Sequence, residues 1–250
     1  RMGTTGLTSK ARGEQDFDEE LNTLVRSLIA GFAAGLILII FHMQIIWMSM
    51  ALFQATVEVE NSASSYIKLR IWAAPFSIMM FSALGWLIAM ERGSLVLLSQ
   101  VITNALNILL DLHLVLNLEM GVKGVALASV IAEIFGGLLV LFFCFSALRV
   151  RHSLNLGKLF DTHKWNNMFF VNFNIFIRSS ILEVVMVSFI YLSSKFGTIT
   201  LAANQVLLHF LSISAYALDG FAFSAEVLVG MSIAEKSKKK VTEAVKKCTA

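Results

Sequence analysis

Apolar and polar positions alternate along this chain in long blocks, not residue by residue. Stretches 27–47 and 71–90 hold no Asp, Glu, Lys or Arg. Stretch 94–118 holds only Asp111, 124–148 only Glu133, 168–194 only Arg178 and Glu183, and 201–233 only Asp219 and Glu226. A hydrocarbon core takes about 20 apolar residues to cross, and lipid admits only helices or closed barrels. Runs of this length without two-residue alternation predict helices. The expected fold class is therefore an all-α polytopic membrane protein with six transmembrane helices. The connection 119–123 is short, so the third and fourth spans are expected to be antiparallel neighbours.

Charge placement sets the direction. Lys10, Arg12, Arg26, Arg92, Arg149, Arg151, Lys158, Lys164 and the tail lysines Lys236, Lys238, Lys239, Lys240, Lys246 and Lys247 fall on one side, against Lys68, Arg70, Lys123 and Lys195 on the other. Fourteen against four places the amino-terminal segment, the 149–165 loop and the tail in the cytoplasm, with Glu58-Val59-Glu60 outside. Only 15% of the 250 residues are charged and 57% are hydrophobic, which sets the chain apart from soluble domains at about 25% charged. The lysine-rich tail lacks a folded nucleic-acid module, so no nucleic-acid partner is expected. Val241, Ala244, Val245 and Cys248 at helical spacing predict an interfacial helix against anionic membrane lipids. Cys144 and Cys248 have neither the number nor the spacing of a disulfide or metal framework. The chain opens on Arg1 with no signal peptide before the first span, as expected of an internal stretch of a longer protein.

An ionisable residue at mid-membrane costs roughly 2.5–3.5 kcal/mol on insertion scales, so the few present are informative. Gln100, Asn104, Asn107 and Asp111 step by four, three and four and share one helix face. Asn107 is one turn from Asp111 and within reach of its carboxyl. Such a stripe serves a proton or cation carrier, or it glues helices together. A longer stripe comprises Gln205, His209, Ser212, Tyr216, Asp219, Phe223 and Glu226. Asp219 and Glu226 lie about 10.5 Å apart along the axis, on one face but out of contact, as in the wall of a path. The 201–233 run would be about 50 Å long, with a bend placed at Gly220. Arg178 and Glu183 diverge around their helix, so Arg178 is expected to meet an acid on another helix, with Asp219 the candidate. Glu133 and His209 each admit a structural and a functional reading. Gly31 and Gly35 predict close helix packing, and Pro75 either kinks or starts the second span. No nucleophile–base pair, metal cluster, phosphate loop or nucleotide motif is visible, so neither an enzyme nor an ATP-driven pump is expected, and no cofactor is called for.

Several stretches resemble one family. Ser214-Ala215-Tyr216-Ala217-Leu218-Asp219-Gly220-Phe221-Ala222-Phe223-Ser224-Ala225-Glu226 resembles the eighth-helix signature of the DinF-like branch of the multidrug and toxin extrusion (MATE) transporters. Arg1-Met2-Gly3-Thr4-Thr5-Gly6-Leu7-Thr8 is similar to the end of the second helix. Asn104 to Asp111 with Gly121 to Ala128 is similar to the fifth and sixth, and Phe176-Ile177-Arg178-Ser179 to the seventh. The resemblance implies a twelve-helix, two-lobe fold. Residues 1–148 would be part of the first lobe, 149–165 the cytoplasmic interlobe loop, and 166–250 part of the second lobe.

It further implies a secondary antiporter in the bacterial inner membrane, exporting cationic or amphipathic small molecules in exchange for H+ or Na+. Ion coupling would fall to Asp111, Asn107 and Asn104, and the substrate pathway to Asp219, Glu226, Tyr216, Gln205 and Arg178. Two other readings stay open: a flippase of lipid-linked precursors with related architecture, and a non-transporting membrane scaffold.

Overall fold

A computed structural model describes residues 1–53, 57–148 and 154–249. Arg149 and Arg151, counted above on the cytoplasmic side, lie outside the described residues. The helices are α1 (Met2–Gly13), α2 (Phe17–Ile40), α3 (His42–Phe53), α4 (Val57–Arg70), α5 (Ala74–Ala89), α6 (Gly93–Asp111), α7 (Gly121–Ala147), α8 (Leu156–Leu159), α9 (Thr162–Ser194), α10 (Thr198–Ala234) and α11 (Lys238–Thr249). A 3₁₀ turn, Ile71–Ala73, joins α4 to α5, and a π-helical turn, Leu112–Asn117, extends α6. Six helical segments are long and apolar enough to cross a membrane: Phe17–Ile40, Val57–Ala89, Gly93–Asn117, Gly121–Ala147, Thr162–Ser193 and Ile199–Ala234. They coincide with the six apolar stretches, although their ends differ.

Local chemistry accounts for those differences. The first span starts ten residues before its apolar run because Asp16 caps it, Oδ1 accepting from Glu19 N at 3.1 Å. Asp18, Glu19 and Glu20 fill the first turn, where the helix dipole favours negative charge. The second span begins at Val57, so Arg70, read above as an outer-side flank, lies inside a helical span. Pro75 starts α5 immediately after the 3₁₀ turn; its missing N–H falls where the helix has no internal acceptor to lose. Gly31 and Gly35 pack on that start: a Cβ on Gly31 would lie 3.2 Å from Ile78 Cγ2, and one on Gly35 would meet the Pro75 backbone and lie 2.9 Å from the Ala74 carbonyl carbon. The expected close packing is thus realised, with α5 as the partner.

The core sits where α2, α5 and α7 meet, around Leu24, Met80, Leu84, Trp86, Leu87, Val140 and Cys144. Trp86 is fully buried, and its indole Nε1 donates to Glu20 O at 2.9 Å, which leaves no stranded donor. The helices α6 and α7 pack side by side as expected, and α1 packs along α10.

Among the described residues, three interhelical turns share one conformation. Gln15, Glu91 and Lys236 all adopt positive φ, at 58°, 58° and 55°. In each turn the next N–H reaches back five residues, Asp16 to Ala11 O at 3.0 Å, Arg92 to Leu87 O at 2.9 Å and Ser237 to Ser232 O at 3.3 Å. This is the six-to-one bond of a Schellman stop. The tail helix α11 therefore leaves α10 as α2 leaves α1. The structure corrects one expectation: α10 runs unbroken through Gly220 for 37 residues, about 55 Å.

Candidate functional site

The α6 stripe meets α7. Asn107 Nδ2 donates to Ser129 Oγ at 3.5 Å, so its amide turns to the neighbouring helix and not to Asp111. Thr103 is buried against Gly136, where a Cβ would lie 2.5 Å from Thr103 Oγ1. Asp111 is the last α-helical residue before the π-helical turn. Such local widenings recur at functional sites. Its Oδ1 is buried and has no hydrogen-bond partner among the described residues, and the same holds for Gln100 Nε2 and Thr103 Oγ1. Asn104 is exposed.

A second polar group gathers at the start of α1. The Arg1 guanidinium lies 3.9 Å over the Phe223 ring, a cation–π contact, and feels the charges of Asp219 and Glu226. A Cβ on Gly6 would sit 3.4 Å from Glu226 Oε1, so the carboxylate lies against this stretch of α1. From α9, Arg178 Nη2 donates to Met2 Sδ at 3.6 Å, and its charge acts on Glu226. The one hydrogen bond described for the Arg178 guanidinium is thus to Met2, with the charge of Glu226 also within its influence. The outer part of the α10 stripe, His209 and Tyr216, is exposed, and Gln205 is half-buried. Among the described residues the two stripes have different main neighbours: α6 packs chiefly on α7 and α5, and α10 chiefly on α1, α11 and α9.

Between α1, α2, α5 and α9 lies a cavity of about 520 Å³ with Thr4, Ser27 and Asn172 as polar wall and Phe81, Phe169 and Phe176 as aromatic wall. Its size falls within the usual range for small-molecule sites, about 300–1,000 Å³. Each wall draws residues from both sides of the 149–165 connection. Sequence reading did not single out Asn172. The signal available was its position six residues before Arg178 in an otherwise apolar run.

Two further charged groups went unread. In mid-span, Arg70 Nη2 pairs with Glu133 Oε1 at 2.5 Å, and Ser77 Oγ donates to Glu133 Oε2. At the base of α2, Glu19 accepts from Arg26 and from Lys164 Nζ at 2.5 Å, while Lys158 Nζ reaches both oxygens of Asp16 at 2.8 Å. Burial is the largest influence on Asp16 and opposes its ionisation, but the Lys158 bond, the Glu19 N–H and the charges of Lys158 and Lys164 together hold the carboxyl below its ordinary value. The same bond raises Lys158. These pairs tie the base of α2 to α8 and α9. A cavity of about 180 Å³ lies beside them, lined by Lys10, Glu19, Arg26, His163 and Lys164 among others. Among the described residues no group of three or more His, Cys, Asp or Glu is placed to hold a metal ion.

Comparison with known proteins gives one family. The MatE family pattern matches residues 1–113. Over 240 residues the chain is 33% identical to DNA damage-inducible protein F of Escherichia coli, covering 93% of this chain and 51% of that protein. It is 25% identical over 158 residues to the multidrug export protein MepA of Staphylococcus aureus, covering 63% of this chain and 35% of that protein. Among solved structures, a MOP-superfamily transporter from Pyrococcus furiosus superposes with a TM-score of 0.87 at 18% identity, over 99% of this chain and 55% of its own. The chain thus spans about half the length of the Escherichia coli and Pyrococcus furiosus relatives. With an all-helical, six-span fold and a cavity walled by helices from both sides of the connecting loop, the chain belongs to the multidrug and toxin extrusion family, in the branch of DNA damage-inducible protein F.

Proposed function

We propose that this chain forms part of the translocation path of a secondary antiporter, a carrier and not an enzyme, that exports cationic or amphipathic organic compounds in exchange for H+ or Na+ across a bacterial inner membrane. Residues 1–148 belong to its first lobe, 149–165 to the connection and 166–250 to its second. The observation that carries the reading is Asp111: a carboxylate inside a membrane-spanning helix, at an α-to-π junction, with one buried oxygen unpartnered among the described residues. An intramembrane acid held this way is functional by default. Asn107 and Asn104 extend its face toward the membrane centre and belong with it in ion coupling. The aromatic and amide walls of the 520 Å³ cavity suit an amphipathic molecule. Asp219, Glu226, Arg178, Tyr216 and Gln205 line the route beyond it, and membrane lipids bathe the exposed apolar faces of α9 and α10.

The test is substrate-driven ion flux in proteoliposomes holding the full-length protein, with H+ and Na+ gradients applied separately. Asp111→Asn is expected to abolish the coupled flux while leaving folded yield unchanged. Flux equal to the parent's in that variant, or no flux with either ion in the parent, overturns the reading.

A further inference from the structure

The Arg70–Ser77–Glu133 group lies away from the Asp111 stripe and the α10 acids. Glu133 stands at the middle of α7. Arg70 closes α4, the 3₁₀ turn Ile71–Ala73 follows, and Ser77 lies one turn into α5. The acid therefore faces the interruption in the neighbouring span.

The hydrogen bonds there have two self-consistent forms. Ser77 Oγ lies within bonding distance of Glu133 Oε2 and 3.0 Å from Ala73 O. A hydroxyl carries one hydrogen and two acceptor lone pairs. With Glu133 ionised, Ser77 donates to the carboxylate and Arg70 neutralises it. With Glu133 protonated, Oε2–H donates to Ser77 Oγ, and Ser77 donates in turn to Ala73 O in the 3₁₀ turn. Both forms use the same Glu133 and Ser77 atoms in the same places, so Oε2 takes up a proton without losing its hydrogen bond to Ser77. A purely structural ion pair has no need of the second form.

The surroundings leave the proton's effect on one partner. Arg70 is the charged group facing Glu133 from α4. The helix α5 has no ionisable residue, and α6, on the far side of α7, has only Asp111. Lys68 is exposed, and Tyr66 lines a separate cavity beside Val122. A cavity of about 330 Å³ reaches the group past Ile67, Ile71 and Phe81. Arg70 Nη1 has no partner among the described residues, so the guanidinium already has a free donor with which to leave.

We propose that Glu133 is a proton-binding site, with Ser77 as its relay to the 3₁₀ turn and Arg70 as the cation that a proton displaces. One proton adds to Oε2, the Arg70–carboxylate pair is lost, and no covalent bond other than O–H forms. Neutralisation unties the α4–α5 interruption from α7, so the second span can change its bend as the site fills. The proposal rests on the antiporter reading only for the use made of that proton.

Infrared spectroscopy of the purified full-length protein across a pH series tests it without any substrate. The parent is expected to show a carboxylic-acid C=O band that titrates and is missing in Glu133→Gln. In Arg70→Gln the band persists, and its midpoint moves to higher pH by about ten-fold or more in proton concentration, since an opposite charge within reach has been removed. Glu133→Asp, which keeps the titrating group, shows the band again and serves where Glu133→Gln does not fold. The proposal is overturned if the Glu133→Gln difference spectra superimpose on the parent's, or if the midpoint stays in place in Arg70→Gln. A titrating Glu133 in a protein without coupled flux would sink the antiporter reading and leave this site standing.

Discussion

Glu19 holds a cluster whose members differ sharply in burial, so removing each has a different cost. The Arg26 side chain is 3% exposed, that of Glu19 15% and that of Lys164 30%. Glu19 accepts from Arg26 with one oxygen and from Lys164 with the other, and Arg26 Nε has no partner among the described residues. Glu19→Ala leaves the Arg26 guanidinium enclosed without its counter-charge, a perturbation of about 3–5 kcal/mol for buried pairs. The adjacent 180 Å³ cavity gives water a route to the arginine, which places the expected loss at the lower end, about 3 kcal/mol. Lys164→Ala removes only the half-exposed partner and is expected to cost at most about 1 kcal/mol. Replacing both buried members, Glu19→Leu with Arg26→Met, removes the desolvated charge as well as its partner, and it should recover part of the Glu19→Ala loss. The assay is denaturant unfolding of the detergent-purified full-length protein followed by tryptophan fluorescence. Trp86 bonds to Glu20 O beside the cluster and reports on it. Equal losses in Glu19→Ala and Lys164→Ala would refute the reasoning, as would a double variant weaker than Glu19→Ala.

Gly35→Ala is expected to destabilise by about 1–3 kcal/mol, because the new Cβ must push α2 off the Pro75 backbone. Gly220→Ala meets nothing within 4 Å and should be neutral or stabilising by up to about 1 kcal/mol through helix propensity; thermal melts of the two variants check the order. The Asp16–Lys158 tie should show in the pH dependence of the melting difference between the parent and Lys158→Met. Asp16 is lowered in the fold, so its contribution is complete above the ordinary carboxylate value of about 3.9 and fades as pH falls through the lowered value. Lys158 is raised, so its contribution is complete below the ordinary lysine value of about 10.4 and fades as pH rises beyond it. Between those limits the difference should be flat, and small, about 0.2–1 kcal/mol, for a pair this exposed; it should shrink with added salt.

How much of this was legible in the chain depends on the range of the interaction concerned. The spans were legible because crossing a hydrocarbon core needs twenty apolar residues in sequence, a purely local requirement. The Gly31–Gly35 contact was legible for the same reason, since small residues four apart state that something packs there, although not that the partner is Pro75. The three interhelical turns were hidden because their left-handed positions carry Gln15, Glu91 and Lys236, where a reader looks for glycine. Arg70 looked like an outer flank because hydropathy cannot see a helix continuing through it; the 3₁₀ turn and Glu133 keep it inside. Arg178 was matched to Asp219 on residue type; that its guanidinium also meets Met2 of α1 is a non-local fact that spacing along one helix cannot give.

The polar residues inside the spans also sort by a criterion that spacing cannot supply. Glu133 has a partner for each oxygen, Arg70 for one and Ser77 for the other, whereas Asp111 keeps a buried oxygen without one among the described residues. In a low-dielectric interior an unmet acceptor is costly. An acid retained there has its compensation in another state, as when a bound ion or proton satisfies it. An acid fully met in this state must instead exchange one partner for another to take part in the same cycle. Asp111 and Glu133 therefore make opposite predictions for the same substitution. Neutralising Asp111 should stabilise this conformation while abolishing coupling, and neutralising Glu133 should loosen it by freeing Arg70. Melting temperatures of Asp111→Asn and Glu133→Gln measured side by side should move in opposite directions from the parent, and a shift of the same sign in both would contradict the distinction.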